Sequence, residues 1–148
     1  MKRFLFPIFV MIVVAFAACS GTNTYAGKYT GTFTFIKDST TKEGSVRMTS
    51  NPLNENGILL YGCLPLTQTS TGYFSATSTN GDYISTILSS IIGNNNYINT
   101  ATEQIKNIKS EAVFNGSTLN LTIYYEVQIL STLQTRVEII KFTGVKQA

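Results

Sequence analysis

Acid–base chemistry in this chain has few groups to draw on: Asp38, Glu43, Glu55, Asp82, Glu103, Glu111, Glu126 and Glu138 are its carboxylates, and it has no histidine. That removes the commonest general base and the commonest metal ligand. A paired-carboxylate hydrolase needs two carboxyl groups flanking one bond. Here Asp38, Glu43 and Glu55 fall in or beside turn-forming stretches, Asp82 stands where a helix needs a cap, and Glu111, Glu126 and Glu138 fall on outward positions of alternating strands. Solvated surface charge accounts for that pattern. Cys63 has no histidine to form a dyad with, and one thiol is not a metal site. Gly27, Gly31 and Gly44 lack phosphate-loop or dinucleotide spacing and read as points of strand curvature. The expectation is a protein that is not an enzyme and carries no cofactor or metal.

Other polar features are equally sparing. The eight tyrosines suit either a ligand surface or ordinary strand positions, and Tyr124 alone is expected to stand outward in mid-strand. The formal charge of +3 falls to +1 without Lys2 and Arg3, which is no footprint for nucleic acid. Asp38-Ser39-Thr40 resembles an O-glycosylation acceptor of some Gram-negative bacteria, a match three residues long.

The stretch "AFAACSG" over residues 15–21 contains two instructions for cleavage. Ala15-Phe16-Ala17 suits an ordinary secretory cut, after which Cys19 could pair with Cys63 in an oxidising compartment. Ala17-Ala18-Cys19-Ser20 instead makes Cys19 the first mature residue. Lys2 and Arg3, an apolar run from Phe4 to Ala18, small residues and a polar Ser-Gly-Thr-Asn-Thr stretch together resemble the export signal of bacterial lipoproteins, with Phe16 where that family usually has Leu. The resemblance implies a signal peptide over 1–18, a lipid on Cys19, and a flexible tether over 19–26. It also implies an outer-membrane address, because Ser20 rather than Asp follows the cysteine. No acidic cluster follows Cys19, so the periplasmic face is expected, with the cell surface left open. The apolar run is shorter than the roughly 20 residues of a spanning helix.

Residues 27–148 are the size of a single domain. In "KYTGTFTFI", Tyr29, Gly31, Phe33 and Phe35 share one side of a strand. "KDSTTKEG" reads as a turn, "SVRMTS" as a strand with Val46 and Met48 on one face, "ILLYGCL" as a third strand and "GYFSATS" as a fourth. After Asp82 the period changes: Ile84, Ile87, Leu88, Ile91 and Ile92 form one helical stripe, with Asp82 as cap and Gly93 as stop.

Asn115-Gly116 is a strong hairpin signal, and a two-residue loop there pairs 112 with 119 and 108 with 123. Ala112, Ile108, Leu119, Leu121, Ile123, Tyr125, Val127 and Ile129 then face inward. A loop of Leu130, Ser131 and Thr132 pairs 125 with 137 and 123 with 139, and sets Glu126 opposite Arg136 outside. Ile139-Ile140 followed by Phe142 breaks the alternation and suggests a β-bulge.

About seven to eight strands and one inserted helix predict a mainly β fold, an antiparallel sheet curled into a small barrel. With "YAGKYTGTFTF" opening and "LNLTIYYEVQI" and "VEIIKFTG" closing it, the layout resembles the calycin-like and lipocalin-like domains of bacterial envelope lipoproteins. That resemblance carries no functional residue. The shape predicts a binding module that takes a small apolar or amphipathic ligand at Ile84, Ile87, Leu88, Ile91 and Tyr125. The alternative is a structural or protein-interaction lipoprotein with a solid core, whose outward Tyr and Thr face meets another envelope protein. No nucleic-acid partner is expected.

Overall fold

A computed structural model describes residues 23–93 and 97–148. The expected signal peptide, 1–18, and the expected lipidation site Cys19 lie outside the described residues. Eight strands and one helix follow in the order β1 (Gly27–Phe35), β2 (Thr40–Ser50), β3 (Ile58–Leu60), β4 (Leu64–Ser70), β5 (Tyr73–Ser78), α1 (Gly81–Ile92), β6 (Glu103–Asn115), β7 (Thr118–Ile129) and β8 (Thr135–Lys146). Every neighbouring pair is antiparallel, and β1 bonds both β2 and β8, so the order of pairing runs round in a ring.

The calycin-like barrel expected from the sequence is corrected in two respects. First, the wall is not of one height. β2 pairs with β3 over Met48–Ser50 alone and β6 pairs with β5 only from Ile108 onward. Residues 40–47 of β2 and 103–107 of β6 therefore rise past the short middle strands, and α1 packs into the space instead of a strand. Lys42 Nζ of β2 donates to the Ile91 carbonyl, 3.1 Å away; it satisfies one of the carbonyls a helix end leaves open, on a helix with no basic residue in its last turn.

Second, the described residues fill the interior and leave no cup among them. Tyr29, Phe33, Val46, Met48, Ile58, Leu60, Leu64, Leu66, Phe74 and Phe142 from the strands interlock with Ile84, Ile87, Leu88 and Ile91 of α1, all buried in one cluster. Over the described residues the fold is mainly β, an eight-stranded sheet and one helix around a filled centre.

The end where the chain enters is sealed by aromatic rings. Tyr25 packs at 5.1 Å from Phe74 and 4.7 Å from Phe114, and Tyr29 lies 5.6 Å from Phe114. Asn23 bonds across to the β2–β3 loop: its N–H donates to Ser50 Oγ and its side-chain amide to the Gly57 carbonyl. Residues 23–26 thus lie against the sheet. On the adjoining wall, Gly31 pairs with both Gly44 and Gly144. A Cβ on Gly31 would sit 2.0 Å from the Thr143 carbonyl oxygen, so the bend between β1 and β8 needs glycine there.

Several local boundaries differ from the sequence reading. "ILLYGCL" is a hairpin, β3 and β4, because Tyr61 and Gly62 both take positive φ, 51° and 72°. The helix cap is Asn80, whose Oδ1 accepts from the Asp82 N–H at 2.9 Å; Asp82 occupies the first turn. Gly93 does end the helix, donating its N–H to the Ser89 carbonyl. Thr40–Gly44 of the expected turn belong to β2.

The two long hairpins shift in different ways. Asn115 pairs with Thr118 and Ala112 with Leu121, so the loop is Gly116-Ser117, with Gly116 at φ 59° in the first central position as a II′ turn requires. That is two residues from the expected pairing, and a shift of two leaves every face unchanged. Ile108, Ala112, Leu119, Leu121, Ile123, Tyr125 and Val127 are accordingly buried.

The β7–β8 loop is four residues, Leu130–Leu133, closed by the Ile129 N–H on the Gln134 carbonyl and by the Leu133 N–H on the Ile129 carbonyl. Ile123 meets Ile140 and Tyr125 meets Glu138. This single-residue change turns β8 over. Val137 goes outside, at 60% exposure, and Glu138 goes inside, at 7%. The expected bulge at Ile139-Ile140 is absent, since the β7–β8 register is unbroken. Breaks occur instead at Gln68/Ser70 and Ile105/Asn107.

Candidate functional site

Turning β8 over assembles a charged cluster that the sequence reading had dispersed over the surface. Arg136 follows Val127 in register and Glu138 follows Tyr125, so both side chains approach the interior at the α1 end. The Arg136 guanidinium donates from Nη1 to Glu103 Oε1 at 2.5 Å and from Nε to Glu138 Oε1 at 2.7 Å. Lys37, from the β1–β2 turn, adds a 3.5 Å ion pair to the same Glu138 oxygen. The fork of a guanidinium suits such bridging, because its donors are fixed in one plane.

Glu103 has a second task. Its Oε2 accepts the Asn99 N–H at 2.9 Å, and its own N–H donates to the Asn99 carbonyl at 2.7 Å. It therefore fastens the segment after α1 to β6. The Arg136 bond, helped by the Asn99 bond, holds its carboxyl below the ordinary range. Arg136 is itself raised, by Glu103 and then Glu138. A carboxylate held ionised under an arginine lacks the raised pKa of a general acid. The cluster is a charge-compensated clasp that joins β6, β8 and the β1–β2 turn.

A cleft of about 220 Å³ opens beside it, lined by Phe35, Lys37, Asp38, Ile92, Tyr97 and Tyr125 among others. Burial, with the Glu138 charge second, pushes the Tyr125 phenol up to about 12. A second groove of about 270 Å³ runs between Ile84, Tyr97, Ile98 and Ile105. Each is smaller than the ~300 Å³ lower bound for pockets that enclose a small organic ligand.

The residues expected to bind a ligand are thus divided. Ile87, Leu88 and Ile91 are sealed in the core and Ile84 shows only an edge to the second groove. Tyr125 lines the first cleft. They share the core cluster but no common cavity among the described grooves. Cys19 lies outside the described residues. Cys63 is half-buried in the β3–β4 turn with its thiol 3.5 Å from the Leu60 carbonyl, and burial raises its pKa.

On the outer wall, Tyr124 stands outward as expected. Its hydroxyl lies 3.4 Å from Glu111 Oε2, its ring 5.5 Å from Lys109 Nζ, and Lys109 pairs with Glu111 at 2.7 Å. Glu126, expected opposite Arg136, accepts from the Asn107 side-chain amide instead. A groove of about 340 Å³ on the same wall is lined by Thr69, Tyr73, Ser75, Glu111 and Val113. Asp38-Ser39-Thr40 sits in the exposed β1–β2 turn, where Asp38 Oδ1 accepts both the Thr40 N–H and its hydroxyl.

Sequence reasoning missed Glu103, Arg136 and Glu138 as a set. Counting β8 backward from Phe142 and Ile140 by twos reaches Glu138 and Arg136, and that count was the available signal. No protein-family model matches the chain, and neither a curated protein nor a solved structure shows significant similarity to it.

Proposed function

We propose that this chain is a lipoprotein of the bacterial envelope, anchored through Cys19 on the outer membrane with its domain in the periplasm, that works as a non-catalytic interaction or structural module. One observation carries the choice of interaction over ligand storage: the interior is filled by side chains from the strands and α1. With its described interior filled in this way, the domain acts through its surface. The outer wall of β4–β7 offers Tyr73, half-exposed beside the 340 Å³ groove, and the Lys109–Glu111–Tyr124 network next to it. Aromatic side chains with fixed polar neighbours are the usual anchors of protein interfaces.

The test is native mass spectrometry of full-length protein released from its own envelope, with an apolar-dye titration on the same sample. A stoichiometric protein partner that is lost in Tyr73→Ala, without dye uptake, supports the reading. Co-purifying lipid or saturable dye uptake in a folded protein, abolished by Ile84→Asp, returns the choice to an apolar ligand.

A further inference from the structure

The four-residue spacing between Cys19 and Asn23 constrains which end of the domain meets the bilayer. Four residues span at most about 14 Å when fully extended. Asn23 is bonded to Ser50 and Gly57, and so lies directly against the loop joining β2 to β3. β7 has 12 residues. At about 3.3 Å per residue and a tilt near 40°, it carries the β7–β8 turn roughly 25–30 Å from the entry end. A domain turned over would put Asn23 farther from the membrane than the linker reaches.

The loop beside Asn23 carries an unusual side chain. Leu53 is 94% exposed, and the loop that presents it is internally fastened. Asn51 Oδ1 accepts the Leu53 N–H, Asn54 Oδ1 accepts the Asn56 N–H, and the Asn51 N–H and the Gly57 carbonyl close the base. Among the described residues nothing packs on Leu53, yet its backbone is set. The same end holds exposed Lys28 and Arg47, paired across β1 and β2, with Glu55 as the opposing charge.

We infer that the entry end, led by Leu53, is the membrane-facing surface of this protein, and that the Leu53 side chain enters the headgroup–acyl boundary of the bilayer that holds Cys19. The inference rests on the lipid-anchor reading. An apolar side chain on a fixed loop and flanking basic groups are what an interfacial contact uses. The orientation also turns the β1–β2 and β7–β8 turns away from the bilayer.

The experiment uses full-length protein matured in a bacterial host, with Cys63→Ser, carrying Leu53→Cys or Leu133→Cys labelled with an environment-sensitive fluorophore. Leu133 is 67% exposed in the far turn, so both sites tolerate a label. The proteins are reconstituted into vesicles of phosphatidylethanolamine and phosphatidylglycerol, some carrying a spin label on the acyl chain, and the N-terminus is weighed by mass spectrometry. The expected result is a blue-shifted emission at Leu53→Cys, quenched at least twofold by the spin-labelled lipid, with neither change at Leu133→Cys. A lipidated N-terminus with an aqueous, unquenched Leu53 probe overturns the orientation alone. An N-terminus without lipid overturns the anchor, and the orientation with it.

Discussion

Ile140→Ala in β8 is expected to cost about 3 kcal/mol, while Val137→Asp, three residues earlier and opposite Glu126, costs only about 1 kcal/mol, from lower strand preference and the like-charge pair. Ile140 is 2% exposed, paired with Ile123 of β7 and Phe35 of β1. The substitution removes three carbons, at about 0.8 kcal/mol each, and a partly relaxed cavity in a packed core adds the remainder. For a domain of this size, the loss lowers Tm by about 10–15 °C. Val137 faces solvent, so a carboxylate there stays hydrated. Urea unfolding followed by far-UV circular dichroism and tyrosine emission is the assay, as the chain has no tryptophan, and the m-value should not change. The one-residue alternative places Val137 against Tyr125 and turns Ile140 outward. A loss above about 2 kcal/mol in Val137→Asp with less than about 1 kcal/mol in Ile140→Ala would refute the register, and with it the charged cluster.

The cluster makes its own prediction. Arg136 lowers the Glu103 pKa, so the folded state gains stability above the ordinary glutamate value near pH ~4.3 and loses it as pH falls through the lower folded value. Arg136→Met should be less stable at neutral pH and should lose less on acidification; an unchanged acid slope in chemical denaturation speaks against the clasp. The Tyr125 phenol, pushed to about 12, contributes stability that is present below the ordinary value near pH ~10 and is lost as pH rises. In a phenolate absorbance titration, Tyr125→Phe should delete a step near pH 12, and deletion of a step in the ordinary range counts against its burial. Gly31→Ala should destabilise by at least about 2 kcal/mol, because its Cβ would meet backbone atoms of Thr143 and Gly144. A protein that unfolds at the wild-type urea midpoint would show that the bend needs no glycine.

Much of the fold was legible because it depends on local periodicity. The inward sets of β1, β2, β6 and β7 follow from alternation, and the stripe Ile84, Ile87, Leu88 and Ile91 from helical spacing. Even the error at Asn115-Gly116 was harmless, because a slip of two residues keeps each side chain on its face. The error at β8 was not. The outward Glu126–Arg136 pair that favoured the expected loop is worth a few tenths of a kcal/mol. Burying Ile140 and Phe142 is worth about 2 kcal/mol or more for each side chain. The stronger term set the register, removed any need for a bulge, and took Glu138 inside with Arg136 at the edge of the interior. Their charges are tolerable there because Glu103 and Lys37 arrive from elements 33 and about a hundred residues away in the chain.

The sequence by itself therefore determined which residues are apolar and with what period, and hence a mainly β chain with one amphipathic helix. Tertiary structure decided three things that period cannot encode. The length of the β7–β8 turn depends on Leu133 adopting φ 58°, a conformation its side chain does not announce. The filling of the interior depends on how far α1 enters beside the short strands β3–β5. The meeting of Glu103, Arg136 and Glu138 depends on both, because ion pairs between distant segments form only after backbone packing has fixed where each side chain points.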